Sequence, residues 1–162
     1  MKYIEYQNEY QTECERESSK MTAYLETVSY WHNLTPKLWV SDYSVKTEDV
    51  LETKQRILST EPACLCLILA VDEEEAIKGF IWAQRESDKA DSVMILSLYV
   101  EESVRKMGVG RTLKLALESW CLRHDVYKIN TTVHYTNKNM LEVNFKMGYR
   151  AGMVSMTKQL KA

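Results

Sequence analysis

The sequence predicts an α/β (α+β) fold, a mixed and mostly antiparallel sheet with one parallel pair and helices on both faces. Three observations predict it. The apolar runs ACLCLILAV (63–71), AIKGFIWAQ (76–84) and SVMILSLYV (92–100) follow one another through the short polar links DEEE and RESDKAD, and links that short join antiparallel neighbours. The passage from 92 to 134 then reads strand, helix, strand, which is long enough for a crossover between parallel strands. Helical periodicity flanks the runs on either side.

The elements follow in chain order. KYIEY alternates and reads as a short first strand. Residues 12–33 lack breakers and read as one long helix or two shorter ones, ending near LTPK because Pro36 disfavours helix at the residue before it. TEDVLETKQRILS (47–59) starts with a capping candidate, Thr47, and with acids that suit the positive end of a helix dipole. After the three runs, residues 109–123 place Val109, Leu113, Ala116, Leu117 and Trp120 on one helical face. KINTTVH (128–134) reads as a strand, residues 138–147 as a helix stopped by Gly148, and YRAGMVSMTKQL as a closing strand.

Composition bounds the function. The chain has 162 residues, 45% hydrophobic and 27% charged, with five Gly and two Pro, which predicts a single globular domain over 1–162 without linkers. Residues 1–60 form its helical part and 63–162 its core. The first twenty residues have neither the pattern of a secretory leader nor a run long enough to cross a membrane, so a cytoplasmic protein with no membrane partner is expected. The four cysteines, Cys14, Cys64, Cys66 and Cys121, are few for the length, and Cys64 and Cys66, inside the apolar run ACLCLILAV without ligand-rich flanks, read as buried free thiols, with no metal site expected. Charge is uneven. Residues 105–150 carry nine Lys and Arg against three acids, whereas the first 60 carry seven bases against ten acids. An anionic ligand is drawn to the later segment and a cationic one to the earlier. The basic segment is not interleaved with aromatics for base stacking, so nucleic acid is not expected as a partner.

The basic segment centres on the junction SLYVEESVRKMGVGRTLKL (97–115). Where a strand gives way to a helix, the first N–H groups of the helix lack partners and an anion satisfies them. Gly108 and Gly110 permit a tight turn and close approach, and Arg105, Lys106 and Arg111 add positive charge. A dinucleotide fingerprint needs a third glycine where Leu113 stands, and a triphosphate loop needs Gly-Lys-Ser/Thr. Neither is present. The residues alone leave an anion site and an ordinary tight turn both open.

Arg105-x-x-Gly108-x-Gly110 resembles the coenzyme A signature R/Q-x-x-G-x-G/A of the GNAT superfamily of acetyl-CoA-dependent N-acetyltransferases. NKNMLEVNFKMGY (137–149) is similar to that family's N-x-x-A-x-x-x-Y-x-x-x-G-F segment, and Met156-x-Lys158-x-Leu160 to its C-terminal strand. The resemblance runs from about residue 65 to the end. It implies acetyl-CoA as cosubstrate, a primary amine of a small molecule, peptide or protein as acceptor, and a parallel pair, 92–100 and 128–134, that splays to hold the pantetheine arm. The backbone of Leu98, Tyr99 and Val100 is then expected to bind that arm. N–H groups of Lys106, Met107, Gly108, Val109, Gly110 and Arg111 are expected to bind the pyrophosphate, with Arg105 holding the loop or touching a phosphate. Asn137 matches an asparagine that contacts the cofactor, and it also reads as a helix cap. A homodimer is compatible with all of this.

Transfer to an alkylammonium of pKa near ~10.4 requires that its proton be removed. Glu101 and Glu102, at the end of the strand, are the first candidates, and each also reads as a solvated strand-end carboxylate. Tyr135 and His134 come next. The resemblance places a tyrosine four residues before the Gly-aromatic pair as proton donor to the thiolate, but this chain has Asn144 there, which cannot deliver a proton. That departure sets a catalytically silent acyl-CoA-binding regulatory module beside the enzyme as the alternative. Tyr30, Trp31, Trp39 and Tyr43 read either as a cation-receiving acceptor wall or as core packing.

Overall fold

The computed structural model describes residues 1–7 and 15–160. Cys14 and the start of the first expected helix lie outside the described residues. The chain divides into two compact units, Met1–Thr131 and Thr132–Ala162.

The first unit is a five-stranded sheet in the order β1-β2-β3-β4-β5, made of β1 (Lys2–Glu5), β2 (Leu65–Val71), β3 (Ile77–Gln84), β4 (Ser92–Val100) and β5 (Lys128–Thr131). Its helices are α1 (Glu15–Leu34), α2 (Thr47–Ser59) and α3 (Val109–Arg123). The first four strands pair antiparallel, and β4 and β5, joined through α3, pair parallel. This is the mixed sheet expected.

β2 is buried along its whole length because both faces are covered. Leu65, Leu67, Leu69 and Val71 meet Phe80, Trp82, the α1 residues Tyr24, Leu25 and Val28, and Ile57 of α2. Cys66, Ile68 and Ala70 meet Ile81, Val93, Ile95 and the α3 residues Val109, Leu113, Leu117, Trp120 and Cys121. The period of two along β2 divides its side chains between these two cores. Cys64, Cys66 and Cys121 are free and buried, and burial raises all three thiols, Cys121 to about 11.

Lys46, not Thr47, occupies the N-cap of α2 and makes no side-chain bond there, so Thr47 belongs to the first turn. β5 ends at Thr131, three residues short of the expected strand. In the second unit α4 (Lys138–Lys146) is capped by Asn137, whose Oδ1 accepts from Met140 N at 3.1 Å. It ends with Gly148 at φ 87°, Gly148 N donating to Phe145 O and Tyr149 N to Asn144 O, both at 3.0 Å. That bonding uses up the last carbonyls of the helix. The closing strand expected over 149–160 does not form. Residues 150–160 have no regular structure and are exposed. An alternating segment becomes a strand only by pairing, and among the described residues none pairs with it.

Candidate functional site

β4 carries a register irregularity. Trp82 pairs with Ser97 and Ala83 with Ile95, leaving Leu96 as an extra residue. The parallel ladder to β5 runs from Ser92 to Ile95 and stops at the same place. Beyond it β4 pairs only with β3. Glu101 N donates to Lys78 O at 2.8 Å, so by alternation the backbone groups of Tyr99 face β3 and those of Leu98 and Val100 face the opposite edge, where β5 has ended. A row of backbone donors and acceptors is thereby offered along the far half of the strand.

The chain then enters the loop at the end of that edge. Arg105 Nε donates to Val100 O at 2.9 Å, and its guanidinium carbon sits 5.7 Å above the Tyr99 ring. Lys106 at φ 64° and Gly108 at φ 83° both adopt the left-handed conformation, the kind of backbone turn from which anion-binding nests are built. Gly108 is the N-cap of α3. The first helical bond is Thr112 N to Gly108 O at 3.0 Å, leaving the N–H groups of Val109, Gly110 and Arg111 without helical partners. Lys106, Met107, Gly108 and Arg111 are exposed and Gly110 partly so. Of the two glycines expected to permit a tight turn, only Gly108 adopts a positive φ. Gly110 has no positive φ, and a Cβ there meets Val100 Cγ2 at an ordinary 3.6 Å. A nearer approach occurs at Gly79, where a Cβ would stand 2.8 Å from Tyr99 O.

Of the two acids, Glu101 accepts from Lys78 Nζ at 2.9 Å, and Lys78 also reaches Asp72 at 3.7 Å. The hydrogen bond to Glu101 is the main cause that raises the Lys78 ammonium. Glu102 is exposed. Of the four aromatics before α2, Trp31 packs against Tyr99, ring centroids 4.6 Å apart, and near Phe80 at 6.5 Å. Tyr30 and Trp39 are exposed and Tyr43 is partly buried.

On the second unit, Asn137 acts as the helix cap, which leaves its amide nitrogen for other partners. Asn144 is the one buried residue of α4, and its Oδ1 has no hydrogen-bond partner among the described residues. Tyr135 is exposed and lies against His134, ring centroids 4.8 Å apart.

Sequence reasoning missed the left-handed Lys106 and, though it expected Arg105 to hold the loop or touch a phosphate, did not name Val100 O as its partner. A non-glycine residue in that conformation leaves no mark in sequence, whereas the five-residue spacing from Val100 to Arg105 was available as a signal. Among the described residues no group of three His, Cys, Asp or Glu is placed to hold a metal ion, and no helix is long and apolar enough to cross a membrane.

A family model described as the acetyltransferase (GNAT) family matches residues 25–149. No curated protein matches the chain. Among solved structures, the aminoglycoside N-acetyltransferase AAC(6')-Iy, determined with the bisubstrate analogue CoA-S-monomethyl-acetylneamine, is similar with a TM-score of 0.66 at 16% identity, over 99% of this chain and 98% of that one. An aminoglycoside acetyltransferase from an uncultured soil metagenomic sample gives 0.64 at 14% identity over 99% and 98%. A variant of a Bacillus halodurans protein gives 0.66 at 18% identity over 99% and 100%. At these identities the likeness is one of fold.

Proposed function

The chain belongs to the GNAT acetyltransferase family, and on that premise we propose that it transfers the acetyl group of acetyl-CoA to a primary amine. The observation that carries this reading is the continuity of β4 with its loop, since a strand edge released from β5 at Ile95 leads directly to a left-handed turn and to the helix-start N–H groups of Val109, Gly110 and Arg111, which have no helical partners. The residues fit the cosubstrate. In this reading the edge groups of Leu98 and Val100 bind the pantetheine amides as a neighbouring strand would. The loop from Lys106 to Arg111 binds the pyrophosphate, and Asn137 and Asn144 are carried over from the family resemblance as further cofactor contacts. Acetyl-CoA supplies the activated thioester; the protein supplies position, charge and a route for protons.

This reading also orients the reaction. With phosphate at the loop, the thioester end lies toward the Leu96 irregularity, and at about 3.3 Å per residue Glu101 stands roughly 13 Å along the strand from Ser97. That separation favours a role for Glu101 and Glu102 at the phosphate end, Glu101 through Lys78, over direct proton removal. The paired test is Glu101→Gln and Glu102→Gln, singly and together. Turnover within about threefold of wild type is expected, and a loss of ~10²-fold or more in one of them would name it as the proton acceptor. Tyr135 is the proposed donor to the leaving thiolate, with Tyr135→Phe as its test. The acceptor is an amine of a small molecule or a peptide, and the AAC(6')-Iy likeness supports including aminoglycosides. The buried free thiols support a reducing, cytoplasmic setting.

A panel of amines screened for thiol release from acetyl-CoA tests the activity and its substrate class together. Asn144, standing where the family's tyrosine is expected, favours one other reading, an acyl-CoA-binding module without turnover. Calorimetric binding of acetyl-CoA with no thiol release from any amine would select it.

A further inference from the structure

Four buried side-chain atoms in the first unit have no hydrogen-bond partner among the described residues, namely Ser29 Oγ, His32 Nδ1, Trp82 Nε1 and Gln84 Oε1. They are not scattered. Ser29 and His32 are three apart on α1, so they share a helix face, and Trp82 and Gln84 are two apart on β3, so they share a sheet face. The His32 ring stands edge-on to Trp82, centroids 5.2 Å apart at 70°, so the helix face and the sheet face meet at these two residues. Arg56 of α2 covers the same indole at 5.2 Å. Ser29 and Trp82 are wholly buried, whereas His32 is partly exposed, and its Nδ1 is among the buried atoms. Protein interiors rarely leave such groups bare; a bound water bridging two to four of them is the ordinary solution.

The pocket adjoins the expected reaction centre. Trp82 pairs with Ser97 on β4, next to the extra residue Leu96 and the point where β5 is left behind. We propose that this pocket holds ordered water and is the proton outlet for the acceptor amine, with His32 as the base at its mouth. The proposal rests on the acetyltransferase reading. Burial, assisted by the Arg56 charge, lowers the His32 imidazole below its ordinary value, so it is neutral and able to accept a proton at neutral pH. Arg56 is the charged group facing it from α2. β3 faces it with Trp82, which does not titrate, and its helical neighbours Val28, Ser29 and Thr35 carry no charge.

The protons balance as follows. The alkylammonium gives one proton through water to His32 and on to solvent. Its freed lone pair forms the C–N bond at the thioester carbonyl, the C–S bond breaks with its electrons on sulfur, and the second proton of the nitrogen ends on the thiolate. One proton is released to solvent per turnover.

The test joins imidazole ¹⁵N NMR, a pH–rate profile with the best amine of the panel, and a crystal structure. His32 should titrate below ~6.5, and kcat/KM should rise with pH through that same value. His32→Gln should remove that limb and lower kcat by ~10²-fold while leaving acetyl-CoA affinity unchanged. Ser29→Ala should lower kcat about fivefold and keep the limb. Water bonded to Ser29 and Trp82 should be visible. A limb that survives in His32→Gln with kcat within threefold overturns the proposal; should that variant not fold, an unchanged kcat in Ser29→Ala overturns it instead. A dry pocket in an active enzyme sinks the outlet alone, whereas absence of turnover with every amine sinks the acetyltransferase reading and the outlet together.

Discussion

Arg105 reaches back five residues to donate from Nε to the carbonyl of Val100 at 2.9 Å, clamping the loop onto the strand end that precedes it. The guanidinium also lies over Tyr99. Its work is to hold the loop's shape, a task for a directional donor more than for a charge. Arg105→Gln, which keeps an N–H donor, should therefore retain more acetyl-CoA affinity than Arg105→Lys, and Arg105→Ala should lose about tenfold. Titration calorimetry on the three variants decides it, and Lys outperforming Gln would show that Arg105 acts as a charge on phosphate.

The two glycines of the loop separate by conformation. Gly108→Ala forces a Cβ into φ 83° and should cost about 1–2 kcal/mol of stability, seen as a lower denaturation midpoint, and loosen cofactor binding. Gly110→Ala, with room for its Cβ, should be near wild type in both respects. Gly110→Asp should fold but bind acetyl-CoA at least tenfold more weakly, because it sets a negative charge among the free N–H groups.

Among the described residues nothing bonds the buried Oδ1 of Asn144. Such an atom costs stability, and proteins retain that cost where the group has work to do. Asn144→Leu, similar in size, should raise the melting temperature by a few degrees while lowering kcat or acetyl-CoA affinity at least fivefold. A variant both more stable and fully active would remove Asn144 from the site.

Lys114, on the buried side of α3, is lowered to about 8 by burial, with Glu118 opposing. The unfolded chain holds that proton up to the ordinary lysine value, so between pH 8 and 10.5 it binds more protons than the folded protein, and this residue's contribution makes stability rise with pH there. Lys114→Met should remove that rise and stabilise the protein at pH 7 by on the order of 2 kcal/mol. Urea denaturation of the pair across pH 7–10 provides the comparison, and the difference matters more than either curve because the raised cysteines act in the opposite direction.

What could be read in advance was whatever depends on local pattern. The bounds of β4 and α3 were legible because the apolar run SVMILSLYV gives way to a period near 3.6 across Glu101–Gly108. The loop's basic character and Gly108 were legible for the same reason. The Leu96 irregularity was not, since it exists only as a mismatch with β3, and neither was the exposed course of residues 150–160, whose alternation would have served a strand had a partner been present. His32 passed unnoticed in YWHN beside more conspicuous aromatics. Only the tertiary packing of α1 on β3 sets its ring against Trp82.

Arg85 is buried, and its guanidinium donates to Ala90 O at 3.1 and 2.6 Å, to Ala63 O at 3.4 Å and to His124 O at 3.3 Å. The polar link RESDKAD between β3 and β4 looks like the natural place for an engineer to splice in a tag, a reporter or an affinity loop. It is a poor choice. The link returns past the one cation that fastens it to the start of β2 and the end of α3, and an inserted sequence that shifts Ala90 strips a desolvated charge of its closest acceptor. Lysine offers no repair, because its single ammonium cannot span carbonyls arriving from three directions.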